Sequence, residues 1–223
     1  MIIKSKIFEV YESEGRRRGL FTLNLTPGKR VYGEKLYSQD NLEYREWDPL
    51  KSKLASSILK GSPNIGIRKN DFVLYLGSAS GTTVSHVSDI VGSEGLVFGV
   101  DISPWVMRDL IFLSYERQNI IPILADSNKI NDLKQKISAV DVLYQDVAQK
   151  NQVEIFLKNV DLFLKEKGYA LLALKARSID VVENPRKLYM DAKAQLMKEL
   201  IVHDMIILDP FEKDHAFFVC QKR

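Results

Sequence analysis

From about residue 50 the chain alternates short apolar runs with helical stretches, and this alternation restricts its fold more than any other feature. Phe72–Leu76, Leu96–Val100, Ile120–Leu124, Ala139–Tyr144 and Tyr169–Leu174 are compact runs of strand length. Between them Val84, Val87 and Val91 share one helical face, as do Val153, Phe156, Leu157, Val160, Phe163 and Leu164. Ser103-Pro104 and Asn184-Pro185 read as helix N-caps followed by proline, and Lys167-Gly168 as a helix stop. Strands spaced by helices predict βαβ units and a mainly parallel sheet. Ile201–Leu208 and His215–Cys220, with only a short link between them, predict a terminal antiparallel hairpin on that sheet. The expected class is α/β and Rossmann-like.

Residues 1–50 follow a different pattern. Lys6–Tyr11, Leu20–Leu25 and Val31–Tyr37 read as extended segments, with Gly15 and Thr26-Pro27-Gly28 as turns. A small antiparallel β-rich domain over 1–50 is expected, then a helix carrying Leu54, Ala55, Ile58 and Leu59, within a larger domain over 51–223. No stretch approaches the roughly 20 apolar residues of a membrane span, and the start lacks the apolar core of a signal peptide. Cys220 stands alone, which rules out an internal disulfide or a zinc site, and is expected as a buried thiol. An intracellular protein with no metal centre is expected. The first 60 residues hold 12 Lys and Arg against 8 Asp and Glu, including Arg16-Arg17-Arg18. Such a bias suits a polyanion or simply a solvated turn.

The first strand–helix turn reads Gly77-Ser78-Ala79-Ser80-Gly81-Thr82-Thr83. Glycines here suit either a ligand's close approach or a tightly packed turn. The spacing is not the G-x-G-x-x-G of dinucleotide sites. Carboxylates then follow three successive strands. Asp101, 24 residues after Gly77, is placed to accept from ribose hydroxyls; Asp126 is placed to meet an adenine edge; Asp146 follows the fourth strand. An acidic rim favours a cationic sulfonium and repels a pyrophosphate, so S-adenosyl-L-methionine is the expected cofactor rather than NAD.

Several segments resemble the fibrillarin family. Trp47-Asp48-Pro49-Leu50-Lys51-Ser52-Lys53-Leu54-Ala55 is similar to its W-x-P-x-R-S-K-L-A segment. Tyr75-Leu76-Gly77-Ser78-Ala79-Ser80-Gly81-Thr82-Thr83-Val84-Ser85-His86-Val87 resembles its Y-L-G-A-A-S-G-T-T-V-S-H-V signature. Tyr144–Gln149, Leu174–Asp180 and Asp214-His215-Ala216 match further blocks, so the resemblance spans nearly the whole chain. Lys51 replaces an arginine, Ser78 an alanine, and Asp101 stands where glutamate is frequent. The glycine- and arginine-rich extension of eukaryotic members is absent, as in the archaeal type.

The resemblance implies a class I methyltransferase fold with a mostly parallel seven-stranded sheet. It implies methyl transfer from S-adenosyl-L-methionine to the ribose 2′-hydroxyl of rRNA or tRNA. The setting would be a box C/D particle with guide RNA, target RNA, a Nop-domain scaffold protein and a kink-turn-binding ribosomal-type protein, in the cytoplasm and away from membranes. Cofactor contacts are expected at Gly77, Ala79, Ser80, Thr82, Thr83, Asp101, Ile102, Asp126, Ser127, Asp146 and Gln149. Similarity to related ribose methyltransferases implies a catalytic set of Lys53, Asp146, Lys175 and His215. Lys175 would deprotonate or polarise the hydroxyl, Lys53 and Asp146 would position it, and His215 would support the target nucleotide. Arg177 and Arg186 are candidate phosphate contacts; His86 and His203 read as structural, and Trp47 as packing between the domains or as a surface that stacks on RNA. The competing readings are a protein (glutamine) methyltransferase and a non-catalytic subunit of an RNA–protein assembly.

Overall fold

The computed structural model describes residues 1–15 and 18–223. Two members of the expected basic run, Arg16 and Arg17, therefore lie outside the described residues, while Arg18 ion-pairs with Glu12.

The N-terminal part is one antiparallel sheet of five strands: β1 (Ile2–Lys4), β2 (Val10–Ser13), β3 (Leu20–Leu23), β4 (Leu36–Gln39) and β5 (Leu42–Glu46). Their order is β1-β2-β3-β5-β4. Two expected segments are corrected. Lys6–Tyr11 enters a strand only at Val10, and Val31–Tyr37 only at Leu36. The Glu34 carboxylate accepts the N–H groups of Val31 and Tyr32, which turns that stretch instead of extending it. The unforeseen hairpin β4–β5 turns at Asp40-Asn41, whose φ values of 54° and 61° suit a primed two-residue turn.

The remainder holds a sheet of β6 (Phe72–Leu76), β7 (Leu96–Asp101), β8 (Ile120–Leu124), β9 (Val140–Gln145), β10 (Leu164–Lys175), β11 (Leu200–Ile207) and β12 (His215–Lys222). The order is β11-β12-β10-β9-β6-β7-β8. β12 runs antiparallel to both neighbours; the other pairs are parallel. Helices α1 (Lys53–Leu59), α2 (Thr82–Val91), α3 (Pro104–Glu116), α4 (Ile130–Lys134), α5 (Gln152–Phe163), α6 (Ala176–Ile179) and α7 (Pro185–Glu199) complete the chain. Lys167-Gly168 does not precede the strand as expected: β10 already starts at Leu164, and its register against β9 shifts across this pair.

Strand parity sorts the core into two halves. Val73 and Tyr75, Val142 and Tyr144, Leu171 and Ala173, and Phe217 and Val219 pack with Leu54 and Ile58 of α1 and Val84 and Val87 of α2. Leu74, Leu143, Leu172 and Phe218 face the other way, against Phe156 of α5 and Leu196 of α7. A sheet covered on both faces explains why its strands read as unbroken apolar runs. Full burial of each such side chain contributes about 1.5–3 kcal/mol. Cys220 is buried in β12, where desolvation pushes its thiol up to about 12.

A buried polar cluster joins the N-terminal sheet to α2 and to the end of α3. Arg45 of β5 lies 2.7 Å from both Glu34 and Asp89, and Arg117 lies 2.6 Å from the other Asp89 oxygen. The Thr22 hydroxyl donates to Asp89, so it accepts from His86 Nδ1 at 2.8 Å; Nε2 of that ring stands 2.8 Å from the Tyr32 hydroxyl. Trp47, fully buried, stacks on His86 at 4.8 Å. Removing one member of such a charge cluster typically costs about 3–5 kcal/mol. Among the described residues no helix is long and apolar enough to cross a membrane.

Candidate active site

In the sheet order β6 is flanked by β7 on one side and β9 on the other, so a crevice opens beyond the carboxyl ends of these strands. Gly77 follows β6 at φ +82°, and a Cβ there would meet the Asp146 carbonyl oxygen at 2.3 Å. At Gly81, φ +98°, a Cβ would lie 2.5 Å from Leu113 of α3. Close packing accounts for both glycines, and Gly77 thereby brings the ends of β6 and β9 together.

The crevice holds a cleft of about 310 Å³. Of the residues expected at the cofactor, Gly77, Ala79, Asp101, Ile102, Ser127, Asp146 and Gln149 line it. Val100, Ala125, Val147 and Ala148 line it as well, and sequence reasoning missed them. Ser80, Thr82, Thr83 and Asp126 are not in its wall. Thr83 is diverted to the Ser52 hydroxyl, 3.0 Å away, which itself caps α1. Asp126 turns one oxygen onto the Asn128 N–H. A larger cavity of about 700 Å³ lies in the N-terminal part, against Tyr32 and Trp47, and contains none of the three strand-end aspartates.

Asp101 is held at both oxygens: Ala79 N–H donates to Oδ2 and Ser103 N–H to Oδ1, each at 2.9 Å. One lone pair per oxygen remains for a diol in the cleft. Ala79 holds φ 47°, an uncommon value for a residue with a side chain.

Beside the cleft, Lys53 Nζ lies 2.9 Å from Asp146 Oδ2, with both side chains about one-fifth exposed. Lys53 is the first residue of α1. Asp146 continues the Val142–Tyr144 side of β9, Lys175 the Leu171–Ala173 side of β10, and His215 the Phe217–Val219 side of β12. All four therefore lie on the sheet face that α1 covers. Lys175 is directly opposite His215 in the β10–β12 ladder, an arrangement that points both side chains the same way.

The immediate surroundings set the chemistry. His215 Nδ1 lies 2.7 Å from the Lys213 carbonyl, which only accepts, so Nδ1 carries the proton and Nε2 is left as an acceptor. Burial, with Lys53 adding to it against the Lys213 bond, holds this imidazole below its usual value, and hence neutral near pH 7. The Lys175 backbone is fixed on both sides by buried Gln152, whose amide takes its N–H and donates to its carbonyl, each at 3.0 Å. Among the described residues the Lys175 ammonium has no ion-pair or hydrogen-bond partner. A neutral imidazole, a fixed ion pair and an unengaged lysine side chain thus share one sheet face beside an acid-walled cleft. That set suits removing a proton from a hydroxyl held near a cation.

Arg177 and Arg186 occupy different settings. Arg177 is committed to Asp214 at 3.2 Å and to two loop carbonyls, whereas the Arg186 side chain is exposed on α7. His86 is buried in the polar cluster against the N-terminal sheet, and His203 pairs with Gln221 on the β11–β12 hairpin.

A profile of the family described as Fibrillarin matches residues 2–223. The fibrillarin-like rRNA/tRNA 2′-O-methyltransferase of Pyrococcus horikoshii is 44% identical over 216 residues, covering 97% of this chain and 95% of its own. Aeropyrum pernix fibrillarin, solved with natively bound S-adenosyl-L-methionine, is 42% identical with a TM-score of 0.90, over 99% of this chain and 97% of that one. The fibrillarin of a solved fibrillarin/Nop5p complex is 38% identical with a TM-score of 0.89, over 99% and 100%.

Proposed function

This chain belongs to the fibrillarin family, and on that premise we propose that it methylates the ribose 2′-hydroxyl of guide-selected rRNA and tRNA nucleotides, using S-adenosyl-L-methionine, as the catalytic subunit of a box C/D particle. The Pyrococcus relative carries that activity in its name, and the Aeropyrum relative holds that cofactor. The fibrillarin/Nop5p complex supports a Nop-domain scaffold partner. So does the exposed face of α3, where Trp105, Phe112 and Tyr115 stand at helical spacing with Trp105 77% exposed. Guide RNA and a kink-turn-binding protein complete the proposed particle, which we place in the cytoplasm.

The cleft fits the cofactor chemically: a doubly anchored carboxylate for a ribose diol, apolar Val100, Ile102 and Ala125, and a second carboxylate toward a cationic group. When bound, S-adenosyl-L-methionine supplies an electrophilic methyl group. The chain's own residues do the rest. Asp101 would accept the ribose hydroxyls, Ser127 and Gln149 would help to hold the rest of the adenosyl group, and Asp146 would favour its positive charge. Lys175 takes the target's 2′-hydroxyl proton as its free amine, or polarises the hydroxyl as its ammonium by donating to the oxygen. Lys53 fixes Asp146, and His215, neutral with Nε2 open, supports the target nucleotide. Placing an acid–base group of this kind typically accelerates a proton transfer by about 10²–10⁴. Alignment of the attacking oxygen adds to that.

The observation that carries this reading is the shared parity of Asp146, Lys175 and His215 on the face that holds Lys53. The test is reconstitution with scaffold protein, kink-turn protein, guide and target RNA, followed by mass spectrometry. A 2′-O-methyl group at the guide-addressed nucleotide is expected. Methyl on a protein glutamine and none on RNA would overturn the proposal; failure of S-adenosyl-L-methionine to bind in calorimetry would leave a non-catalytic subunit.

A further inference from the structure

The loop after α6 displays apolar side chains that the described residues leave largely uncovered. Val181 is 73% exposed and Val182 89%. The backbone around them is nevertheless tightly held. Asp180 Oδ1 accepts the N–H groups of Val182 at 2.7 Å and Glu183 at 2.9 Å. Arg177 Nη1 donates to the carbonyls of Val181 at 2.7 Å and Glu183 at 3.2 Å. Arg177 Nε reaches Asp214, the residue before His215, whose carbonyl in turn receives the Ala176 N–H at 3.0 Å. One guanidinium therefore ties the loop to the strand end that carries His215, and only the single turn of α6 separates the loop from Lys175.

A rigid loop that holds two branched apolar side chains in water forgoes the gain of burying them, about 1.5–3 kcal/mol for a fully covered valine. That arrangement is expected where a ligand supplies the cover. Resting on the proposed ribose methylation, we propose that Val181 and Val182 form a pad on which the base of the nucleotide undergoing methylation rests, and that Arg177 is the positioning residue that holds the pad against the catalytic end. The occupant follows from continuity with the site: the nucleotide whose sugar reaches Lys175 must place its base nearby. Aliphatic contact with the flat face of a base is indifferent to base identity. It therefore suits an enzyme whose target is chosen by pairing with a guide. Arg177, spent on two carbonyls and a carboxylate, acts through the loop and not on phosphate.

The test uses the full reconstituted particle with the double variant Val181→Ser/Val182→Ser, alongside Val181→Ile/Val182→Ile. Because both side chains are exposed, folding is not at stake, and a thermal melt checks it. The expected result is a KM for target RNA raised about tenfold, or roughly 1.4 kcal/mol, with cofactor affinity and scaffold assembly unchanged and the isoleucine variant near wild type. Arg177→Gln should raise the same KM while leaving cofactor affinity alone. An unchanged KM in the serine variant would overturn the pad. So would weakened scaffold assembly with an unaltered KM, which would make the loop a protein contact. A wild-type particle that leaves RNA unmethylated would instead defeat the underlying reading.

Discussion

Lys53 and Asp146 are 93 residues apart in the chain, yet their charged groups meet at 2.9 Å beside the cleft. The pair exists because α1 starts at Lys53, with Ser52 as its cap, and Ser52 is itself held by Thr83 from the glycine turn. A cofactor-type turn and a catalytic-type lysine are thus mechanically joined.

Lys175→Ala should lower methyl transfer in the reconstituted particle by about 10²–10⁴. Calorimetric affinity for S-adenosyl-L-methionine should stay within about twofold, since Lys175 is absent from the cleft wall. Wild-type turnover by this variant would remove Lys175 from the reaction.

Asp101→Asn keeps the shape but removes the charge that faces the diol. Charged hydrogen bonds contribute about 1.5–3 kcal/mol, so the cofactor Kd should rise roughly 10- to 100-fold, measured by calorimetry. An unchanged Kd would place the ribose elsewhere.

Gly77→Ala puts a methyl group 2.3 Å from the Asp146 carbonyl at a left-handed φ. It should destabilise the protein by at least about 2 kcal/mol and weaken cofactor binding together with it. A variant with the wild-type denaturation midpoint and Kd would contradict the packing account.

His86 is fully buried, and desolvation, reinforced by Arg45 and Arg117, holds its imidazole well below the usual value. The unfolded chain therefore binds a proton that the folded one refuses. Stability from this group is complete above about pH 6.5 and falls as the pH drops below it, by up to about 1.4 kcal/mol per pH unit. His215, shifted in the same direction, adds to the effect. Urea denaturation at pH 7.5 and pH 5 should show the decline, and His86→Gln should flatten it; stability equal at both values would count against a neutral His86.

The parallel strands were readable because both sheet faces are covered: Phe72–Leu76 and Ile120–Leu124 coincide with β6 and β8. The N-terminal sheet was harder to read. In β5 the fully buried Arg45 interrupts any apolar alternation, and its partners Glu34 and Asp89 come from elsewhere. In the site, Asp101 and Asp146 stood out because each ends or follows a strand. Gln152 left no signal, since its work is to hold the two backbone groups of Lys175 and it has no periodicity of its own. Thr83 looked like a cofactor contact from its place in the turn, and only the position of Ser52 shows where its hydroxyl goes.

Strand parity also limits how a gene for such a protein can drift. Lengthening a connection between elements leaves Asp146, Lys175 and His215 where they are. One codon gained or lost inside β9, β10 or β12 would instead turn the affected group through the sheet and away from the others. Insertions among descendants should therefore gather in the surface connections, while these three strands keep their residue count.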